Sequence, residues 1–110
     1  MKQREIWNIY FDPTVGSEQK GNRPAVVVSG KTLKNNLEVV WVCPISSSIH
    51  NFQGNPILVP DKNNGLTKES EVIVFHLRAV SKKQFKKRIG EISKDQMEQI
   101  ISTINDILDL

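Results

Sequence analysis

Glu18, Gln19, Lys20 and Arg23 crowd the loop just ahead of Ala25-Val26-Val27-Val28, an uncharged run that reads as core. The arginine fork is always charged and matches two phosphate oxygens, so Arg23 suits holding a phosphoryl group and the charge that develops on it. Glu18, the one carboxylate in the loop 14–22, has two readings. It can accept a proton, although the ordinary glutamate pKa of about 4.3 makes it a weak base unless burial raises it, or it can pair with Arg23 or Lys20 and order the loop. Ser46, after an apolar segment, offers a hydroxyl that either donates to a phosphate oxygen or caps the end of its strand. His50 follows in the same loop as Ser46, where an imidazole either meets a ligand or is simply solvated; His76, at a strand bend, is expected to hydrogen-bond within the fold.

These residues need a scaffold, and the patterning predicts mostly short strands. Residues 6–11 alternate and are closed by Asp12-Pro13; Pro24 starts a second strand over Ala25–Ser29. Gly16 and Gly21 punctuate the loop between them, and a short helical turn is expected at Lys31–Lys34. A third strand is expected at Leu37–Ile45 with Trp41 and Cys43 facing the core, and Pro44 places its far end at an edge or bulge. Residues 56–60, 71–75 and 77–80 read as further strands, with Asn-Gly turn chemistry at 61–65, and Arg88–Ile92 as a last strand after a basic turn of Lys82, Lys83, Lys86 and Lys87. From Ser93 the period becomes helical: Gln96 sits at capping-box spacing, and Met97, Ile100, Ile101, Ile104, Ile107 and Leu108 form one stripe. The fold class is mainly β, a small, strongly bent barrel or sheet with a C-terminal α-helix and short helical turns in loops.

A length of 110 residues allows one core, so residues 1–110 are read as a single domain. With 38% hydrophobic and 25% charged residues the chain has enough apolar content to fold, which excludes a disordered class. No apolar run nears the roughly 20 residues of a membrane span and the N-terminus lacks a signal-peptide core, so the expected location is cytoplasmic. Cys43 is the single cysteine, which excludes a disulfide framework and a Cys-rich metal site; its apolar neighbours make it a buried core residue. The net charge of +3 is a modest bias toward anionic partners, nucleic acid or an acidic peptide, and the basic cluster behind much of it can equally be a solvated turn.

Phe11-Asp12-Pro13, Gly16-Ser17-Glu18-Gln19 and Gly21-x-Arg23-Pro24, running into the apolar strand, resemble the MazF/PemK (Kid) family of toxin endoribonucleases. Val42-Cys43-Pro44-Ile45-Ser46 and the segment from Gly65-Leu66 to Leu77-Arg78-Ala79-Val80 agree in position, and the resemblance covers about Arg4 to Ile107. It implies an SH3-like barrel with a C-terminal helix, a homodimer, and an antitoxin whose acidic, disordered C-terminal tail lies across the active groove. It also implies single-stranded mRNA as substrate, cut at a short sequence with neither metal nor cofactor. Carried over residue by residue, the family's key arginine falls on Arg23, its loop glutamate on Glu18 and its Ser/Thr after the third strand on Ser46. Relatives that use a loop histidine and an Arg/Asp pair have Ser17, Ile73 and Phe75 at those positions here, which leaves Arg23 and Ser46 as the expected catalytic pair.

On that reading the RNA's own 2′-OH attacks the adjacent phosphorus, Arg23 clamps the phosphorane, Ser46 donates to an oxygen, and Glu18 takes the 2′-OH proton or orders the loop. RNA contacts are expected from Gln19, Lys20, Ser47, His50, Phe52 and Arg78, with Phe52 either stacking on a base or pinning its loop. Two competing readings use the same fold. A non-catalytic poison of a protein target such as gyrase would rely on an aromatic C-terminus, whereas this chain ends Ile107-Leu108-Asp109-Leu110; an inactive RNA- or peptide-binding barrel is the other.

Overall fold

The computed structural model describes residues 1–11, 21–30 and 38–109. Among them are seven strands: β1 (Glu5–Phe11), β2 (Gly21–Val27), β3 (Val39–Ser46), β4 (Ile57–Leu58), β5 (Ser70–Val72), β6 (Arg78–Ser81) and β7 (Phe85–Glu91). One helix, α1 (Lys94–Leu108), closes the order, and 3-10 turns at Val74–His76 and Lys82–Gln84 flank β6. The expected helical turn at Lys31–Lys34 lies outside the described residues.

All pairings are antiparallel, in the order β4-β5-β3-β2-β1-β7 with β6 also on β3, and the sheet curls into a half-barrel. β3 makes the curl. Its first half pairs with β6 and its last two residues, Ile45 and Ser46, pair with Val72 and Glu71 of β5. Pro44 falls at that change of partner. Its carbonyl accepts from the Ile73 N–H, and the Ile73 carbonyl, which a proline cannot serve, accepts instead from the His76 N–H of the 3-10 turn.

Period-2 alternation in the central strands builds two cores, one on each face. Ile6, Val26, Cys43 and Ile45 pack with Met97 and Ile100 under α1; Ile9, Phe11, Ala25, Val27 and Val42 pack with Phe85 on the other face. Burial raises the Cys43 thiol to about 12, which makes it an inert core residue as expected. α1 begins as its spacing predicts, with Ser93 and Gln96 closing a reciprocal capping box. The Asp61–Asn64 turn is held by the Asp61 carboxylate accepting from the Asn63 and Asn64 N–H groups, and Gly65 follows at φ +69°, where a Cβ would collide with the Ile89 carbonyl. No helix among the described residues is long and apolar enough to cross a membrane.

Four expectations need correction. Trp41 is 46% exposed rather than core, because the cover that α1 gives Cys43 and Ile45 does not extend two residues further back, where the cross-strand neighbour Ala79 is exposed as well. The helix stripe is buried only in its first half: Ile101, Ile107 and Leu108 are exposed. Lys86 and Lys87 sit within β7 and not in a turn, on an edge strand where charge discourages pairing with another chain. The strand expected over 71–75 ends at Val72 and gives way to the 3-10 turn.

Across β1 and β7, Glu5 accepts from the Lys2 backbone N–H (2.8 Å), the Trp7 indole (3.0 Å) and Arg88 Nε (3.0 Å). Partial burial pushes its carboxyl up, but those donors outweigh it and hold the group at about 2, against an ordinary 4.5. The stability this adds is complete above about 4.5 and is lost as pH falls toward about 2, roughly 2–3 kcal/mol in all. Glu5→Gln should therefore lower stability at pH 7 and flatten its decline between pH 5 and pH 2.5, as read from urea midpoints; parallel declines in both proteins would refute this.

Candidate functional site

Arg23 stands near the start of β2, half-buried, opposite Ile9 of β1. The β2–β3 register pairs Ala25 with Pro44, Val26 with Cys43 and Val27 with Val42, and Arg23 and Ser46 each stand two residues beyond its last pair. Side chains two residues apart share a face, so both belong to the face of Ala25, Val27 and Val42, at the end of the second core. Arg78, on β6 opposite Val42, lies on that face too; its guanidinium carbon is 4.9 Å from the centre of the Phe11 ring. Two arginines and a hydroxyl from three strands thus share one face of the sheet. Glu18, Gln19 and Lys20 lie outside the described residues, in the segment that joins Phe11 to Gly21.

Ser46 Oγ accepts from the Ser48 N–H at 3.1 Å, so the hydroxyl does shape the turn that ends its strand. Its own proton has only the Ser48 carbonyl at 3.5 Å, the outer limit of a hydrogen bond, and is readily redirected to a ligand oxygen. Ser47, His50 and Phe52 are exposed on the loop that follows.

The loop is held by a residue that sequence reasoning missed. Glu71 is fully buried, and its carboxylate accepts from the backbone N–H groups of His50 (2.7 Å), Asn51 (3.0 Å) and Phe52 (2.9 Å) and from the Asn55 side-chain amide (2.9 Å). Burial alone would raise its pKa; four donors reverse the sign and hold the group ionised below the ordinary carboxylate range. Asn55 passes the support on, its Oδ1 accepting from the Val74 N–H at 3.1 Å. The available signal was a lone carboxylate opening an apolar strand run, Glu71-Val72-Ile73-Val74, which is common enough on solvated strands to go unread. The second omission is aromatic. Phe75, 50% exposed, meets Phe52 edge-on at 5.4 Å, and His76, whose backbone N–H donates to the Ile73 carbonyl at 3.2 Å, sets its ring against Phe75 at 4.9 Å.

A family model described as PemK-like, MazF-like toxin of type II toxin-antitoxin system matches residues 2–108. The chain belongs to that family. Among its relatives is Endoribonuclease MazF9 of Mycobacterium tuberculosis, 28% identical over 115 residues that span 100% of this chain and 98% of the relative. Two solved structures share the fold. Mycobacterium tuberculosis toxin MazF-mt6 superposes with a TM-score of 0.78 at 21% identity, covering 97% of this chain and 98% of that one. MazF in a MazE-MazF crystal structure from Deinococcus radiodurans superposes at 0.75 and 22% identity, covering 96% and 91%. In this PemK/MazF-family toxin the half-barrel therefore carries Arg23, Ser46 and Arg78 on one face, with the Glu71-held loop beside them.

Proposed function

We propose that the protein is a sequence-selective, metal-independent endoribonuclease that cuts single-stranded mRNA, and that it is the toxin half of a toxin-antitoxin pair. What supports this reading is the family match, together with Arg23 near the start of β2 and Ser46 at the end of β3, each two residues beyond the last pair of the β2–β3 ladder. The RNA's 2′-OH attacks its own phosphorus, a bond forms to O2′, the bond to O5′ breaks, and the 5′-oxygen leaves with a proton from Arg23, which regains one from solvent as Glu18 gives up the proton it took. Arg23 balances the charge on the phosphorane, and Ser46 donates to a non-bridging oxygen. Glu18, in the adjoining loop, is the proposed acceptor of the 2′-OH proton; Gln19, Lys20, Ser47 and Arg78 are proposed to hold the strand.

Cleavage in EDTA should proceed at the rate seen without it and leave a 2′,3′-cyclic phosphate, or its opened 3′-phosphate, and a 5′-OH. The 3′ fragment should then accept phosphate from a kinase, and the 5′ fragment should resist ligation at its 3′ end. Products with 5′-phosphate and 3′-OH, or activity only with added magnesium, would overturn the mechanism. Ser46→Ala should cut about one to two orders of magnitude more slowly, measured in single turnover, because one neutral donor is removed from the charged phosphorane. An unchanged rate would reduce Ser46 to a strand cap.

The proposed setting is cytoplasmic. The proposed assembly is a homodimer, which would cover sheet edges that a single half-barrel leaves open. The proposed antitoxin carries an acidic tail with apolar anchors, whose grip on the Arg23 and Arg78 face weakens as salt rises.

A further inference from the structure

On the loop after β3 and the Val74–His76 turn four exposed rings touch in series, and we infer that they form a stacking platform for one unpaired base next to the cut; this rests on the ribonuclease reading of the same site. His50 lies 5.6 Å from Phe52 at a tilt of 30°, Phe52 lies 5.4 Å from Phe75 at 80°, and Phe75 lies 4.9 Å from His76 at 80°. Phe52 and Phe75 are 49% and 50% exposed and belong to neither core. Contiguous exposed aromatic surface marks a binding site far more often than scattered exposure does. An edge-to-face pair leaves ring faces uncovered that a stacked pair would hide, and the flanking imidazoles supply polar atoms at the rim for a base edge.

The platform is built rather than incidental. Its two halves come from separate segments, residues 50–52 and the Val74–His76 turn, and one polar network locks them together. The Glu71 carboxylate takes the three N–H groups of the first segment and the Asn55 amide, and Asn55 accepts from Val74 of the second. Ordering these rings is thus a cost carried by folding and not by binding. The network also fixes where the rings stand: Glu71 is the cross-strand partner of Ser46, so the phosphate-facing hydroxyl and the ring support share one register pair.

The occupant is a nucleobase for three reasons. A strand whose phosphate sits at Arg23 and Ser46 continues past the rings, every base has a flat face, and base–aromatic stacking tolerates any base. A peptide anchor calls instead for a concave apolar pocket, whereas each phenylalanine here is half exposed.

The test begins by mapping a cut site in a long RNA with the wild-type protein. A short oligonucleotide of that sequence is then made with every 2′-OH methylated, which removes the nucleophile. Phe52→Leu and Phe75→Leu should each weaken its binding by about tenfold, within the range of roughly 5- to 150-fold that stacking on one ring confers, and Phe→Tyr at either position should restore it. Replacing one nucleotide beside the cut by an abasic residue should cost the wild type about tenfold and the double leucine variant almost nothing. The single-turnover rate at saturating RNA should fall less than affinity does. Leucine variants that bind like wild type, or an abasic penalty that persists in the double variant, would overturn the platform while leaving the ribonuclease reading intact. Leucine variants that keep RNA affinity but release an acidic antitoxin-type peptide would hand the surface to a protein partner and overturn the inference. A wild-type protein that cuts no RNA would remove both readings together.

Discussion

Arg23→Ala is expected to abolish cleavage while leaving the fold intact. Arg23 is half-buried at the head of β2 and belongs to neither apolar cluster, so truncation opens no cavity in the core; its backbone pairing with β1 needs no side chain. On the proposed mechanism the same side chain faces charge spread over the phosphorane oxygens in the transition state. Removing one neutral oxyanion donor costs about 2.7–4 kcal/mol, so a cation that donates twice should cost about 4 or more, on the order of a thousandfold or beyond in rate. Arg23→Lys should recover part of the charge but not the fork, and so fall between the two. Single-turnover cleavage alongside thermal melting checks this. A folded alanine variant that cuts at close to the wild-type rate would take Arg23 out of the site.

Glu71→Gln should be the most destabilising near-isosteric change among the described residues, on the order of 3–5 kcal/mol. The carboxylate offers two oxygens to four donors in a fully buried position. The amide that replaces one oxygen points its own N–H groups at backbone donors and leaves them without partners, about 1–3 kcal/mol for each. Because the folded pKa of Glu71 lies below the ordinary value, its contribution is complete above the usual carboxylate range and is lost as pH falls through the folded pKa. The glutamine variant should therefore lose stability at neutral pH and show less further loss in acid. Amide exchange at His50, Asn51 and Phe52 should accelerate with it, and RNA affinity should drop through the rings those residues carry. A urea midpoint within error of wild type, with the three amides still protected, would show that the carboxylate is dispensable.

The features that were legible in the sequence act over short distances along the chain. The Ser93 and Gln96 capping box, the alternation of β1 and β3, the Asp61–Gly65 turn and the burial of Cys43 each depend on a few neighbouring residues or on one local environment, so type and spacing were sufficient. Arg23 and Ser46 were nameable for a different reason: their residue types and flanking motifs carry a family resemblance, and the family is the one the chain belongs to.

What the sequence left undecided depends on segments far apart in the chain. Trp41 alternates into the same face as Cys43 and Ile45, yet it is exposed, because a face is buried only where another element covers it and α1 stops short. Glu71 reads as a polar start to a strand until β5 pairs with β3 and four donors from residues 50–55 turn toward it. Phe52 and Phe75, 23 positions apart, become one surface only through that network. Sequence alone determined the family and the kinds of element, and named the residues proposed to hold a phosphate. Only the tertiary structure decided their register, their cover and their company, because strand pairing and helix docking join residues that no local period connects.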